Sequence, residues 1–369
     1  MTFSAADHAA MARALRLAAL GLNTTSPNPR VGCVLMRDGA IVGEGWHHRA
    51  GEAHAEIHAL RQAGRAARGA TVYVTLEPCS HHGRTPPCAD ALIEAGVARV
   101  VAAMEDPNPL VAGRGLARLR ATGIVTEHGL LEAEARELNI GFVSRMTRGR
   151  PWLRLKAAAT LDGKTALENG VSQWITGAEA RRDGHAWRAR ACAVLTGIGT
   201  VKEDDPQLTV RDVACERQPL RVLVDARLDV APSARILQGE PILIATASED
   251  STRIASLSAA GHRLIVLPNA AGKVDLPRLM SELGTLGLNE VHAEAGFKLN
   301  GSLLREGCVD ELLLYLAPML AGDAAHGLFN LAALTRLEDA TRLDLRDLRQ
   351  LGRDIRILAR LATDLPAKR

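Results

Sequence analysis

Four residues carry the sharpest chemical signal in the chain. The tripeptide HAE sets His54 two residues before Glu56, and PCSHHGRTPPC holds Cys79 and Cys88 with eight residues between them. One imidazole and two thiolates form a three-ligand zinc set that leaves a fourth position open for water. Zinc lowers the pKa of such a water toward neutrality. A nearby carboxylate that is not a ligand can take the water's proton and deliver it to a ring nitrogen and a leaving amine, the arrangement used by zinc deaminases. His54, Cys79 and Cys88 are therefore the expected metal ligands, and Glu56 the expected proton shuttle of a hydrolytic deamination. H-x-E alone is weak; joined to P-C-x8-C, with each piece at a strand-to-helix junction, it is strong.

Other donors compete. His47, His48, His58, His81 and His82 cluster in the same stretch. Three protein ligands already complete a catalytic site, and a fourth would close it. His58 lies one helical turn from His54 and is the foremost rival, while His81 and His82 are expected to shape the loop or touch substrate. Cys33 sits in an apolar strand, where packing is the expected role.

The elements that must position these residues alternate in type. Met11, Leu15, Ala18 and Leu22 have helical spacing. VGCVLM and AIVGEG read as strands joined by an Asp38-Gly39 hairpin turn. HAEIHALRQAG, CADALIEAG, GLARLRATG and LLEAEARELN read as helices, and TVYVTLEP and RVVAAME as strands. Helices alternating with strands imply a sheet covered by helices. The polar, basic SRMTRGRP (Ser144–Pro151) is expected to end the first domain, giving domains over 1–147 and 148–369. A second α/β series follows, with strands at WLRLKAA, ACAVLTG, LRVLVDA, PILIATA, RLIVLP, EVHAEAG, ELLLYLAP and DIRILARL. There is no internal repeat, and nothing in the second half repeats the zinc pattern.

Bulk properties narrow the class. The 369 residues suit two domains, 47% hydrophobic content suits a soluble globular chain, and 3% aromatics means cores of Leu, Val, Ile and Ala. A net charge of +3, spread over both halves, predicts no nucleic-acid partner. The first residues, MTFSAADHAAMARALRLAALG, carry Asp7, Arg13 and Arg16 and read as an amphipathic helix rather than a targeting segment. No stretch is apolar enough to span a membrane. Six cysteines are too few for a disulfide scaffold, so a reducing cytoplasm is expected, where thiols remain free for metal.

The eight-residue cysteine gap differs from the C-x2-C spacing of most nucleoside and base deaminases. With SPNPRVG, HHRAGEAHAE and DPNPLVAGRG, it resembles the bifunctional deaminase–reductase family of riboflavin biosynthesis. The second half continues the resemblance through LKAAATLDGKTA, SQWITG, GIGTVKEDDPQLTVR and VHAEAG, and only the C-terminal tail lacks a matching motif. The family implies a cytidine-deaminase-like α/β/α sandwich followed by a dihydrofolate-reductase-like α/β domain, zinc and NADPH as cofactors, and a homo-oligomer. It implies two reactions on a phosphorylated pyrimidine. The 2-amino group of a diaminopyrimidinone ribosylamine 5-phosphate is hydrolysed, and the ribosyl chain is then reduced to ribityl. Asn28, in the PNP loop, matches a position near the deaminase substrate; a turn role between two prolines is the competing reading.

In the second half, GIGTV lacks the third glycine of a dinucleotide fingerprint, because Lys202 stands there. By resemblance, Thr200 and Asp204 contact NADPH, and Ala158 and Trp174 line the same site. The run Gly296, Phe297, Lys298, Leu299, Asn300, Gly301 and Ser302 opens a helix whose backbone N–H groups can hold phosphates. An ordinary strand-to-helix turn is the alternative, and Ala295 stands where many relatives have glycine. Arg188 and Arg211 match positions near the substrate phosphate, with Ser172 and Leu208 adjacent. Lys156 and Glu294 are the candidates for polarising the ribosyl C1 and moving a proton, against a structural salt bridge. Two rival readings remain. One is a zinc nucleoside or tRNA deaminase with an unrelated second domain; the other is a non-catalytic binding protein, against which the intact His54, Glu56, Cys79 and Cys88 argue.

Overall fold

The computed structural model describes residues 3–80 and 87–362. The chain divides into two compact units, Met1–Gly149 and Arg150–Arg369. Among the described residues, the first unit runs α1 (Ala5–Ala19), β1 (Gly32–Arg37), β2 (Ala40–Trp46), α2 (Ala55–Ala63), β3 (Thr71–Val74), α3 (Cys88–Ala95), β4 (Arg99–Ala102), α4 (Arg114–Ala121), β5 (Val125–His128), α5 (Glu132–Leu138) and α6 (Ile140–Arg148). Its sheet has the order β2-β1-β3-β4-β5. β1 is antiparallel to β2 and β3, and β3, β4 and β5 are parallel.

Alternation along each strand feeds two cores. Cys33, Leu35, Val72, Val74 and Val100 pack with Ala55, Ala59, Leu92, Leu116 and Leu119 of α2, α3 and α4. Val34, Tyr73 and Val101 pack on the opposite face with Met11, Ala14, Leu17 and Phe142 of α1 and α6. Cys33 is thus a core residue, fully buried. Asp38 (φ 52°) and Gly39 (φ 79°) form the two-residue turn between β1 and β2, both left-handed as a twisted hairpin requires.

Three expectations change here. The segment expected to end the first domain begins inside α6, whose Ser144 is buried, and that helix ends at Gly149, beside the division between the two units. Arg, Thr and Ser at its C-terminal end hide a helix whose packing is done by Gly141, Phe142 and Ser144. β5 was not anticipated because its residues VTEH lie at the sheet edge, largely outside the core. The buried stripe of α1 is Ala10, Met11, Ala14, Leu17 and Ala18, and Leu22 lies beyond its end.

α1 is tied to the sheet by Asp7. Its carboxylate accepts from Ser4 N–H (2.8 Å) and Ser4 Oγ (2.7 Å) in a capping box, from Tyr73 Oη (2.6 Å) and from Arg99 Nη1 (2.6 Å). Burial would raise its pKa, but the bonds from Tyr73, Arg99 and Ser4 more than offset this and hold it well below the usual carboxylate range. Because the folded pKa is depressed, the contribution is fully present above the unfolded value of about 3.9 and is lost as pH falls below it. Asp7→Asn is expected to lower the unfolding free energy by about 2 kcal/mol at neutral pH. In urea titrations the gap between parent and variant should close as pH falls below about 4.

The second unit runs β6 (Trp152–Thr160), β7 (Lys164–Ala166), α7 (Ala178–Arg190), β8 (Ala193–Gly197), α8 (Ile198–Asp204), β9 (Leu220–Val224), β10 (Leu243–Thr246), α9 (Ser251–Ala259), β11 (Arg263–Val266), α10 (Leu276–Thr285), β12 (Glu290–Glu294), α11 (Phe297–Arg305), β13 (Glu311–Ala317), β14 (His326–Gly327), β15 (Leu343–Leu351) and β16 (Asp354–Leu361). The large sheet has the order β11-β10-β9-β8-β12-β6-β13-β16-β15. It is parallel from β11 to β13, with β16 and β15 antiparallel beyond. Strands such as LRVLV and LIAT read as mostly apolar runs because helices cover both faces of a parallel sheet. After β6 the chain steps outward from β8 to β11, then returns to insert β12 between β8 and β6. Such a reversal opens a crevice at the C-terminal strand ends, where ligands bind in open α/β sheets. β7, β14 and β15 were not anticipated. In β15 a register shift between Leu345 and Asp347 breaks the two-residue alternation.

Candidate active sites

The first site is assembled where β2, β3 and two helix starts meet. His54 is the N-cap of α2, Glu56 lies in its first turn, and Cys88 opens α3. His54 Nδ1 lies 3.2 Å from Cys88 Sγ and 3.6 Å from Cys79 Sγ. The backbone N–H of Cys88 donates to Cys79 Sγ at 3.2 Å. The three ligand atoms all lie within 4.8 Å of one another. This nitrogen-and-two-sulfur set suits zinc in donor type and spacing. The hydrogen bond with Cys88 is the main cause that drives the Cys79 thiol down to about 4; burial opposes it, and His54 adds to it. Glu56 is buried, and burial is the main cause that pushes its carboxyl up to about 7.

A cavity of about 540 Å³ opens onto Glu56, His54 and Cys79 and is also lined by Asn28, His47 and Asn108. Asn28 therefore lines the same cavity as His54 and Cys79. The rival histidines do something else. His58 stacks on His48 with centroids 4.4 Å apart, and it is not part of the ligand group. His47 is buried, which lowers its pKa, and its Nδ1 lies 3.1 Å from the Ala53 carbonyl. A carbonyl only accepts, so Nδ1 carries the proton, and Nε2 must accept from Asn28 Nδ2 at 3.1 Å. The Asn28 carbonyl oxygen is then the atom left for a ligand. His81 and His82 lie outside the described residues.

The second site lies at the crevice of the large sheet. Lys156 and Glu294 are register partners on the parallel strands β6 and β12, with Lys156 Nζ 3.6 Å from Glu294 Oε2. Arg188 of α7 clamps the same carboxylate with Nε and with Nη2 (2.9 Å), and its Nη1 donates to the Thr209 carbonyl at 3.1 Å. Burial would raise the Glu294 pKa; Arg188 and Lys156 reverse this and hold it well below the carboxylate range. Arg188, expected beside a phosphate, is thus also the clamp on Glu294.

The other expected contacts lie on several elements of the second unit. Thr200 lies on α8 and faces Gly296, the N-cap of α11: a Cβ at Gly296 would come within 3.7 Å of Thr200 Oγ1. Asp204 accepts from Ser172 Oγ at 3.2 Å and Gln173 Nε2 at 3.4 Å. Trp174 is exposed, with the Arg181 guanidinium 4.7 Å above its ring. Ala158 lies on β6. Within α11, Phe297 and Lys298 are adjacent in a cation–π contact, and Leu299 packs near Gly197. Asn300 and Gly301 lie on the buried face of α11, and Ser302 Oγ accepts from Arg305. Leu208 is a core residue, and Arg211 is exposed, donating to Thr209 Oγ1 at 3.0 Å.

Known proteins share this architecture. Residues 4–104 match the cytidine and deoxycytidylate deaminase zinc-binding region, and residues 151–357 match the RibD C-terminal domain. The riboflavin biosynthesis protein RibD of Escherichia coli K12 is 51% identical over 363 residues, covering 95% of this chain and 98% of its own. The chain belongs to the RibD family. The solved structure of Acinetobacter baumannii RibD, 42% identical, superposes with a TM-score of 0.90 over 97% of this chain and 99% of its own. A diaminohydroxyphosphoribosylaminopyrimidine deaminase/5-amino-6-(5-phosphoribosylamino)uracil reductase of Thermotoga maritima, 32% identical, gives 0.86 over 97% and 99%.

RibD membership fixes the class. The chain is a bifunctional enzyme of riboflavin biosynthesis, a hydrolytic deaminase and an oxidoreductase, with a cytidine-deaminase-like N-terminal fold and a dihydrofolate-reductase-like C-terminal one. The match over 151–357 removes the alternative of an unrelated second domain. No helix among the described residues is long and apolar enough to cross a membrane. Sequence reasoning missed Glu77, Asp106 and Asn108, which line the first cavity. For Asp106 and Asn108 the only signal was DPNPLVAGRG, a second asparagine between prolines like that of the PNP loop; Glu77 had none.

Proposed function

We propose that the first cavity removes the 2-amino group of 2,5-diamino-6-(5-phosphoribosylamino)pyrimidin-4(3H)-one, and that the crevice of the second unit reduces the ribosyl chain of the product, 5-amino-6-(5-phosphoribosylamino)uracil, with NADPH. The observation that carries the reading is the convergence of His54, Cys79, Glu56 and Asn28 on one cavity, with Cys88 completing the ligand group behind His54 and Cys79, in a chain matched over nearly its whole length by RibD proteins. His54, Cys79 and Cys88 would hold one zinc ion. When bound, zinc supplies the Lewis acidity that makes a water nucleophilic near neutral pH. Glu56 takes the proton from that water and returns it to the ring nitrogen and the departing amine. Asn28, its amide set by His47, offers its carbonyl oxygen to a donor on the pyrimidine ring.

In the second unit, Gly296 at the start of α11 and Thr200 opposite it fit a dinucleotide's phosphates. The other contacts named by resemblance, Ala158, Trp174, Asp204 and the rest of the Gly296–Ser302 run, complete that site. NADPH supplies the hydride. Lys156 and Glu294 hold the opened ribosyl C1 and place a proton, while Ser172, Arg188, Leu208 and Arg211 form the end where the substrate phosphate rests. A homo-oligomer is favoured by β15, an edge strand that leaves Leu345 and Leu348 more than half exposed. A cytoplasmic setting is favoured by the six cysteines, all free thiols.

Incubating the chain with the diaminopyrimidinone phosphate is expected to release ammonia and raise the product mass by one unit, the NH-for-O exchange of deamination. Adding NADPH should raise it by a further two units as the ribosyl chain becomes ribityl. A product that gains the two hydrogens without losing its amine would contradict the proposed order.

A further inference from the structure

Glu77 lies two residues before Cys79 and is buried. Its carboxylate is surrounded by main-chain donors from a single downstream segment. Oε2 accepts from the N–H groups of Asp106 (3.0 Å) and Gly113 (2.9 Å), and Oε1 from those of Gly115 (2.8 Å) and Leu116 (3.1 Å). A carboxylate has about four lone-pair sites, so these bonds fill its acceptor capacity and leave none for a ligand. Gly115 lets the start of α4 come this close: a Cβ there would lie 1.9 Å from the Pro78 carbonyl oxygen.

Between those anchor points the segment is held by two local side-chain-to-backbone bonds. Asp106 Oδ1 accepts from the Asn108 N–H at 2.9 Å, and Asn108 Oδ1 accepts from the Leu110 N–H at 3.1 Å. The latter bond engages the Asn108 carbonyl oxygen with its own loop and leaves the NH2 as the group able to donate to a ligand. Asp106, Asn108 and Val111 all line the cavity that holds Glu56 and His54. The donor of Asn108 and the acceptor of Asn28 thus border one space, matching the mixed donor and acceptor edge of a pyrimidinone.

We propose that Glu77 is a positioning residue of the deaminase, whose carboxylate folds the 106–116 segment so that Asn108 presents its amide to the substrate. This rests on the reading of the cavity as the deaminase site. Glu77→Gln replaces one acceptor oxygen with an NH2 that opposes two backbone N–H groups, freeing half of the segment.

The test is ammonia release by the full chain as parent, E77Q, E77D, N108A and E77Q/N108A, with zinc content measured for each. NADPH oxidation on the deaminated substrate serves as the control for the rest of the chain. E77Q is expected to raise KM on the order of tenfold, with parent-like zinc content and parent-like reduction. The double variant should be no worse than N108A alone, because both changes remove the same contact. A merely structural role would lower the unfolding temperature without moving KM, and its effect would multiply with that of N108A; either result overturns the proposal. Should E77Q fail to fold, E77D decides in the same way, since it keeps the charge but withdraws it by one methylene. A parent that releases no ammonia overturns the reading of the cavity and the proposal with it; an active parent matched in KM by E77Q and E77D overturns the proposal alone.

Discussion

Glu56→Gln is expected to keep its zinc and to lose ammonia release by roughly a hundredfold to ten-thousandfold, the usual contribution of a positioned acid–base group. The geometry separates the two properties. The ligand atoms belong to His54, Cys79 and Cys88, so the glutamine removes none of them. Gln is isosteric and neutral, and burial already disfavours the charged form of Glu56, so the substitution fits without stranding a charge. What disappears is the ability to accept a proton from water and pass it to the leaving amine. Metal analysis alongside ammonia release checks both halves, and near-normal turnover by a zinc-loaded variant would remove Glu56 from the mechanism. Reduction of the deaminated substrate should be unaffected, because Lys156 and Glu294 lie in the other unit.

The deaminase residues were legible in the sequence for a local reason. His54 and Glu56 share one helix start and Cys88 opens another, so residue type and short spacing were enough. Residues brought in by the order of strands were not. Asn108 reaches the cavity only because β4 lies beside β3 and Glu77 ties down the segment that follows it. The hydrogen bond that orients Asn28 through His47 spans 19 positions, with no periodic signal to announce it. In the second unit, apolar runs identified the strands of the parallel sheet, whereas β15 escaped because a register shift disrupts its alternation. Arg188 shows another limit. Resemblance placed it near a phosphate, but only the folded chain shows that its guanidinium grips Glu294 in two places. Local pattern thus picked out the candidate ligand group of the first site, and topology supplied its walls.

Lys156→Met is expected to reduce NADPH oxidation on the deaminated substrate by roughly a hundredfold or more, with ammonia release unchanged. The substitution is informative because of how the charges around Glu294 are shared. Arg188 binds the carboxylate through two nitrogens, while Lys156 Nζ stands 3.6 Å away and about a quarter of its side chain is exposed. Removing Lys156 therefore leaves Glu294 paired, and methionine keeps most of the apolar stem beside Tyr315. Arg188→Met is the opposite case, since it would leave a buried carboxylate short of its main partner, at a cost of about 3–5 kcal/mol. If Lys156 and Glu294 form only a structural ion pair, Lys156→Met should lower the unfolding temperature of the second unit a little and leave turnover intact. If Lys156 is the cation that polarises the reacting carbon, turnover should collapse while the fold is kept. Measuring the unfolding temperature and NADPH oxidation on the same protein distinguishes the two, because the Arg188 clamp keeps stability and chemistry from failing together.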